Sequence, residues 1–337
     1  MKHVIVGGDG FVGRHLARLL LERGLPVVVA DLRQSELDVY PRAAFLPVDV
    51  TVPAQVAKLP IGPDDVVYNL AARMLMPIKP RAQRHDWFFS VNYHGTENVL
   101  RVALERGCTK FVYFTTDMVY GHTRSVPKAE DHPREPLGPY AGSKLASEKL
   151  CEAYRDKGVN VSIFRPRLII GPGRLGILAR LFRLIELHLP VPVIGDGRNH
   201  YQFISVYDCA RAALAAADRG APNGAYNLGS LDPPTVRDLL SRLIHAAGSR
   251  SFLLSAPGLL VKPVLAAFDR AGLPLMDPEQ YLIADEDCVV DVSRAERELG
   301  WRPTYGDTDM LLAAYQEYQA TRRGRAAGAA GASPVAG

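Results

Sequence analysis

Two groupings in this chain have the residue types and spacing to move protons. The stretch YAGSK sets Tyr140 and Lys144 one helical turn apart, on the same face of a helix. A tyrosine hydroxyl ionises near pH 10 and is a poor acid–base at neutrality, but an adjacent ammonium favours the phenolate. Tyr140 is the one tyrosine of fourteen with a lysine four residues on. The plainer reading is a surface tyrosine beside a solvated lysine. The second grouping is FTTDMVYGHT, residues 114–123, where an apolar run ends in Thr115, Thr116, Asp117 and Met118. That ending fits a β-turn, an acid–base pair for removing water, or half of a hydride-transfer site.

A third grouping handles phosphate. VIVGGDGFVGRHL satisfies two glycine spacings at once: Gly8, Gly10 and Gly13 fit GxGxxG, and Gly7, Gly10 and Gly13 fit GxxGxxG. One glycine takes a turn at positive φ, a second lets backbone touch a pyrophosphate, and a third lets helix pack close on strand. The helix opening at Phe11 and Val12 points its free N–H groups at that anion. A second β-run, PVVVAD, ends in Asp31, eighteen residues after Gly13. A carboxylate there grips an adenosine ribose diol and repels a 2′-phosphate, so NAD is expected over NADP. Arg33 is the one nearby group that would accommodate the phosphate.

These residues need elements to hold them. The first 170 residues alternate β-branched runs (HVIVGG, PVVVAD, DVVYNLAA, KFVYFTT, NVSIFRP) with segments of helical period that end in glycine, such as VGRHLARLLLERG. Repeated βα units predict an α/β fold, a Rossmann-type doubly wound parallel sheet over residues 1–170. From about residue 171 prolines and glycines interrupt the rhythm. The expectation is a smaller, irregular C-terminal substrate lobe over 171–320. NHYQFISVYD and GAYNLGS are candidates for strands returning to the main sheet, and 321–337 forms a low-complexity, disordered tail.

Bulk properties narrow the class. A chain of 337 residues, 47% hydrophobic and 23% charged, builds a sizeable core. A net charge of +4 with scattered basic residues does not favour nucleic acid as a partner. The four cysteines lack metal or redox spacing and read as buried thiols in a reducing compartment. The nine histidines have no metal spacing. No apolar run reaches the roughly 18 residues of a membrane span, and the N-terminus has no signal-peptide pattern, so a cytoplasmic protein is expected.

Taken in order, GGDGFVG, Asp31, VDV, NLAA, VNYHGTENVL, FTTDMVYG, YAGSK, RPRLIIGPG, GDGRNHYQFISVYD and LGWRP resemble the extended short-chain dehydrogenases/reductases, in their NAD-dependent epimerase/dehydratase group. The resemblance covers roughly residues 1–320. It implies that Thr116 hydrogen-bonds the reacting substrate oxygen, Tyr140 removes its proton, and Lys144 lowers the tyrosine pKa and holds the nicotinamide ribose. It also implies that Asp49 and Val50 flank the adenine and that Leu70, Ala71 and Ala72 line the cofactor cleft. Two helices, VNYHGTENVLRVALERG and YAGSKLASEKLCEAYRDKG, resemble the pair that forms a four-helix homodimer interface, with Val99, Leu100, Leu145, Leu150 and Ala153 as the apolar contacts.

The departures are informative. Sugar 4,6-dehydratases of this group carry Thr-Asp-Glu where this chain has Thr116-Asp117-Met118, and a thioether accepts no proton. Asp117 is left as a substrate hydrogen bonder or a turn cap. The position of the arginine that binds a nucleotide-sugar diphosphate holds Tyr201; Arg174, Arg198 or His200 are substitutes, or plain loop charges. Met74, Leu75 and Met76 make one wall apolar. The segment LLVKPVLAAFDRAGLPL most simply packs within the second lobe, and alternatively forms a flap over a lipid-like substrate. The expected function is oxidation of a secondary alcohol on a nucleotide-linked sugar, with epimerisation as the outcome. A dehydrogenase or reductase of a hydrophobic, steroid-like alcohol is the alternative, and a non-catalytic NAD-binding protein the third reading.

Overall fold

The computed structural model describes residues 1–35, 42–176 and 178–331, with side chains of the last helix described through residue 323. Five of the β-branched runs form β1 (His3–Val6), β2 (Val27–Asp31), β4 (Val66–Asn69), β5 (Lys110–Phe114) and β6 (Asn160–Pro166), as their composition predicts. The short β3 (Ala44–Pro47), exposed at both ends, was not legible as a strand. β1 and β4 are buried along their whole length, which is what continuous Val/Ile/Tyr runs require when both faces of a parallel sheet are covered.

The strand order is β10 (Gly224–Leu228)-β6-β5-β4-β1-β2-β3, parallel throughout. Chain direction across the sheet reverses at the β1/β4 boundary, and a doubly wound sheet binds its ligand at that switch point, beyond the carboxyl ends of the strands. Helices Phe11–Glu22 and Val206–Asp218 cover one face, where small residues (Ala210, Ala213, Ala217) let them approach closely. Helices Thr96–Glu105 and Pro139–Arg155 cover the other.

The returning strands divide. GAYNLGS supplies β10 (Gly224–Leu228), an edge of the main sheet beside β6. FISVYD instead supplies β9 (Phe203–Ser205), which pairs with β7 (Leu168–Ile170) in a separate two-stranded sheet. A further pair, β8 (Val191–Ile194) with β11 (Leu253–Ala256), and helices Leu178–Glu186 and Val236–Ala246 enclose a second core around Phe182, Leu243 and Tyr315.

Three expectations change. Helix Gly258–Arg270 does not bury its apolar side chains in the lobe: Leu259, Leu260, Val264 and Phe268 are exposed, and Asp269 is the buried side chain, paired with Arg84. Val99, Leu100 and Leu145 are already buried within the chain, which leaves only Leu150 and Ala153 of the proposed dimer contacts half-buried or exposed. The last helix, Asp307–Gly331, runs into the stretch 321–337 predicted to lack regular structure; residues 332–337 lie outside the described residues. Among the described residues, no helix is long and apolar enough to cross a membrane, and no group of three or more His, Cys, Asp or Glu could hold a metal ion.

Candidate active site

A cavity of about 410 Å³ opens at the carboxyl ends of β1, β2, β4, β5 and β6. Its lining includes Gly7, Gly10, Phe11, Val12, Gly13, Asp31, Asp49, Val50, Leu70, Ala71, Ala72, Thr116, Asp117, Tyr140, Lys144, Arg174 and Tyr201, but not Gly8 of the alternative glycine spacing.

The dinucleotide end is built from backbone. Gly7 has φ of 76°, and a Cβ there would lie 2.5 Å from the Ala71 nitrogen; one at Gly13 would lie 2.6 Å from the Gly7 oxygen. No side chain fits, so the loop presents bare backbone at the first turn of helix Phe11–Glu22, a ready anion site. Asp31 ends β2 with Oδ2 accepting from the Asp9 amide at 2.9 Å and Oδ1 from the Leu32 amide at 2.7 Å. Burial pushes its pKa up, with these amides opposing. Each oxygen keeps a lone pair for a ribose hydroxyl. Asp49 folds its own loop, Oδ1 accepting from the Thr51 amide and hydroxyl, and so places Val50 at the wall. This cradle of excluded side chains, with a carboxylate at the end of β2, fits NAD.

The reacting end sits where β5 stops. Thr116 caps the short turn Asp117–Tyr120, its hydroxyl accepting from the Met118 amide at 3.2 Å. Tyr140 is fully enclosed at the first turn of its helix, packed edge-on against Phe88, with its hydroxyl 3.5 Å from the Met74 sulfur. Burial and then the Glu279 carboxylate push its pKa up, while Arg174 and the Thr116 hydroxyl oppose them. Lys144 donates to the Phe114 carbonyl at 2.9 Å, and burial pulls its pKa down to about 8. The site thus gathers a buried lysine whose pKa is lowered and a tyrosine beside a threonine hydroxyl, groups chemically able to exchange a proton with an alcohol.

Three residues here escaped sequence reasoning. Asn92 lies in a turn of wider winding (Ser90–Gly95) between two helical stretches. Its side chain bonds the Arg73 amide and carbonyl and the Ser143 hydroxyl, and so ties the chain after β4 to the tyrosine-bearing helix. It lay inside VNYHGT, but nothing there signalled its partners. Glu279, 139 residues along the chain, accepts from the amides of Tyr140 (2.7 Å) and Ala141 (2.8 Å), capping that helix from the second lobe. Arg167, buried at the end of β6, forms an ion pair with Asp117 and stacks 4.6 Å above the Tyr201 ring. Asp117 is therefore not a turn cap: its carboxylate accepts from a guanidinium.

Around this end the walls are Met74, Leu75, Met76, Leu168, Ile169 and Leu175. No residue of the 258–276 segment lines the cavity; Gln280 is the nearest that does. Arg198 and His200 do not line it either. His200 pairs with Asp287 and Arg198 with Asp196, so both serve as loop charges.

The model of the NAD dependent epimerase/dehydratase family matches residues 3–229. An uncharacterized protein, y4nG, of Sinorhizobium fredii is 34% identical across 98% of this chain and 83% of its own length. A dTDP-glucose 4,6-dehydratase of an Actinoplanes species is 29% identical across 96% of this chain and 99% of its own. Among solved structures, a UDP-glucuronic acid 4-epimerase from Bacillus cereus in complex with NAD superposes with a TM-score of 0.75 at 24% identity, covering 95% of this chain and 99% of that one.

Proposed function

The chain belongs to the NAD-dependent epimerase/dehydratase family, and from that premise we propose that it oxidises a secondary alcohol of a sugar nucleotide and re-reduces it to the opposite configuration, without loss of water. NAD, when bound, supplies the hydride acceptor. Thr116 orients the substrate hydroxyl, Tyr140 takes its proton with Arg174 favouring its anion, and Lys144, anchored at the end of β5, holds the nicotinamide ribose. The nucleotide lies along the second lobe, with Arg174 at the cavity's rim.

The observation that carries this reading is the Asp117–Arg167 pair beside Met118. Removal of water needs an acid to protonate the leaving hydroxyl and a base to take the neighbouring proton. Met118 offers no base. Asp117 is already engaged, its carboxylate accepting from a buried guanidinium, and so is not free to meet a leaving hydroxyl. Both halves of a dehydration are thus disabled, while Thr116, Tyr140 and Lys144 remain.

The test is incubation with candidate nucleotide hexoses, in heavy water and with deuterium at the reacting carbon. Epimerisation with the deuterium retained and none gained from solvent is the expected result. A 4-keto-6-deoxy product would refute the reading of Met118. Stoichiometric NADH in solution would favour a second reading, a dehydrogenase of a hydrophobic alcohol, which the apolar wall of Met74, Leu75 and Met76 supports. A homodimer is part of the proposal; a monomer in sedimentation at micromolar concentration would remove it.

A further inference from the structure

Arg167 has more donors than the fold uses. Its Nη1 is committed to Asp117 and the Tyr201 hydroxyl lies close to the guanidinium, but neither Nε nor Nη2 makes a well-formed hydrogen bond among the described residues, although the residue is only 2% exposed. Orphaned buried donors are rare and costly, because each forfeits the hydrogen bond water would have given it. These two are not scattered: Nε–H and Nη2–H form one straight edge of the guanidinium, with parallel donors at the spacing of two oxygens on one carbon.

The edge is also held still. Asp117 fixes one end of the group, and the Tyr201 ring lies beneath its plane at 4.6 Å. Burial works against the charge, but Asp117, Cys288 and Tyr201 together outweigh it and hold the guanidinium above its ordinary range. All three residues line the cavity, and Asp117 directly follows Thr116. A group held here lies close to Thr116, the residue proposed to orient the substrate hydroxyl.

The surrounding charge agrees. The reacting end is lined by Arg73, Lys144, Arg167 and Arg174, with Asp117 as the one carboxylate among the described residues there. Arg73 is bound to the Trp87 carbonyl and the Ser90 hydroxyl and stacks on the Trp87 ring, so it is a fixed part of the wall. An uncharged substrate would leave this end cationic and the edge unmet.

We propose that the free Nε/Nη2 edge of Arg167 is a carboxylate subsite, and that the substrate is a hydroxy acid whose carboxylate lies close to the alcohol carbon that reacts. This deepens the proposed alcohol oxidation and rests on it, but not on the substrate's being a sugar.

The experiment titrates NAD-loaded protein calorimetrically with two matched pairs: UDP-glucuronate against UDP-glucose, and 3-hydroxyoctanoate against its methyl ester. Arg167→Lys is the variant, because lysine keeps a cation beside Asp117 but lacks the two-donor edge; unchanged NAD affinity verifies its fold. The expected result is that the acid of at least one pair binds tighter than its neutral partner by about 10- to 100-fold, the range of charged hydrogen bonds, and that Arg167→Lys abolishes the preference. Which pair responds also separates the sugar reading from the hydrophobic-alcohol reading. Equal binding of acid and neutral members, no binding of either acid, or a preference that survives in Arg167→Lys would overturn the proposal.

Discussion

Lys144 gives its ammonium to the carbonyl oxygen of Phe114, 2.9 Å away at the end of β5, and not to the tyrosine hydroxyl one turn before it. The spacing in YAGSK puts Tyr140 and Lys144 on one helix face, yet the cation that lowers the Tyr140 pKa is Arg174, from the loop after β7. Lys144 is instead a buried group anchored to the strand whose end carries Thr116. The two roles inferred for it from sequence therefore separate: its position is fixed by β5, and Tyr140 is tuned mainly by burial, Glu279 and Arg174.

Tyr140→Phe removes the hydroxyl and almost no volume. The hydroxyl meets only the Met74 sulfur at 3.5 Å and the neighbouring Thr116 hydroxyl, neither of which holds the fold together, so folding and NAD affinity should be preserved. Turnover should fall by about 10²- to 10⁴-fold, as for loss of a general acid–base. Activity retained in this variant, with NAD still bound, would remove Tyr140 from the mechanism.

Lys144 makes stability depend on alkaline pH. Its folded pKa is about 8 against an ordinary 10.5, so between those values the unfolded chain holds a proton that the folded chain has released. Stability then rises with pH across that window. Urea unfolding of wild type and Lys144→Met from pH 8 to 10 should show wild type gaining stability relative to the variant. Parallel curves would mean that Lys144 titrates normally in the fold.

Much of this site was legible because its parts are local. A glycine spacing, a carboxylate closing the next strand and an i, i+4 pair each announce themselves within a short window, and the sheet they define places them together at its switch point. Arg167, Glu279 and Asn92 were not legible. Arg167 acquires meaning only when β6 lies beside β5 and Tyr201 arrives from the second lobe, and Glu279 only when that lobe docks on the first turn of helix Pro139–Arg155. The exposed apolar face of helix Gly258–Arg270 misled for a related reason: an apolar stripe says that a surface avoids water, not which surface covers it.

Glu279 should couple the second lobe to the ionisation of Tyr140. Burial raises its pKa to about 7, opposed by the two amides it caps. Asp277 adds to the rise and Arg84 opposes it. Because the folded value lies above the ordinary 4.5, its ionisation makes the fold less stable as pH rises from about 4.5 through 7. Glu279→Gln should flatten that dependence. It should also cost about 1–3 kcal/mol, since an amide nitrogen would face one of the two N–H donors. Removing the anion lowers the Tyr140 pKa, so the acid limb of the pH–rate profile should move to lower pH. An unmoved limb with reduced stability would make Glu279 a structural cap alone.

Asp31 should decide between the two nicotinamide cofactors. Its oxygens are fixed by the amides of Asp9 and Leu32, so the carboxylate cannot swing away from a 2′-phosphate, and repulsion in this half-buried setting is poorly screened. Asp9 is itself engaged by the Ser35 amide and hydroxyl, which fixes the loop that Asp31 grips. Asp31→Asn keeps the shape and an acceptor for the Leu32 or Asp9 amide, while removing the charge. It should weaken NAD by about tenfold through loss of a charged hydrogen bond to the ribose diol, and strengthen NADP, with Arg33 free to meet the added phosphate. Separate fluorescence titrations of the two cofactors measure both changes. Tighter binding of NADP than of NAD by the wild-type protein would overturn the assignment of Asp31 as the ribose ligand.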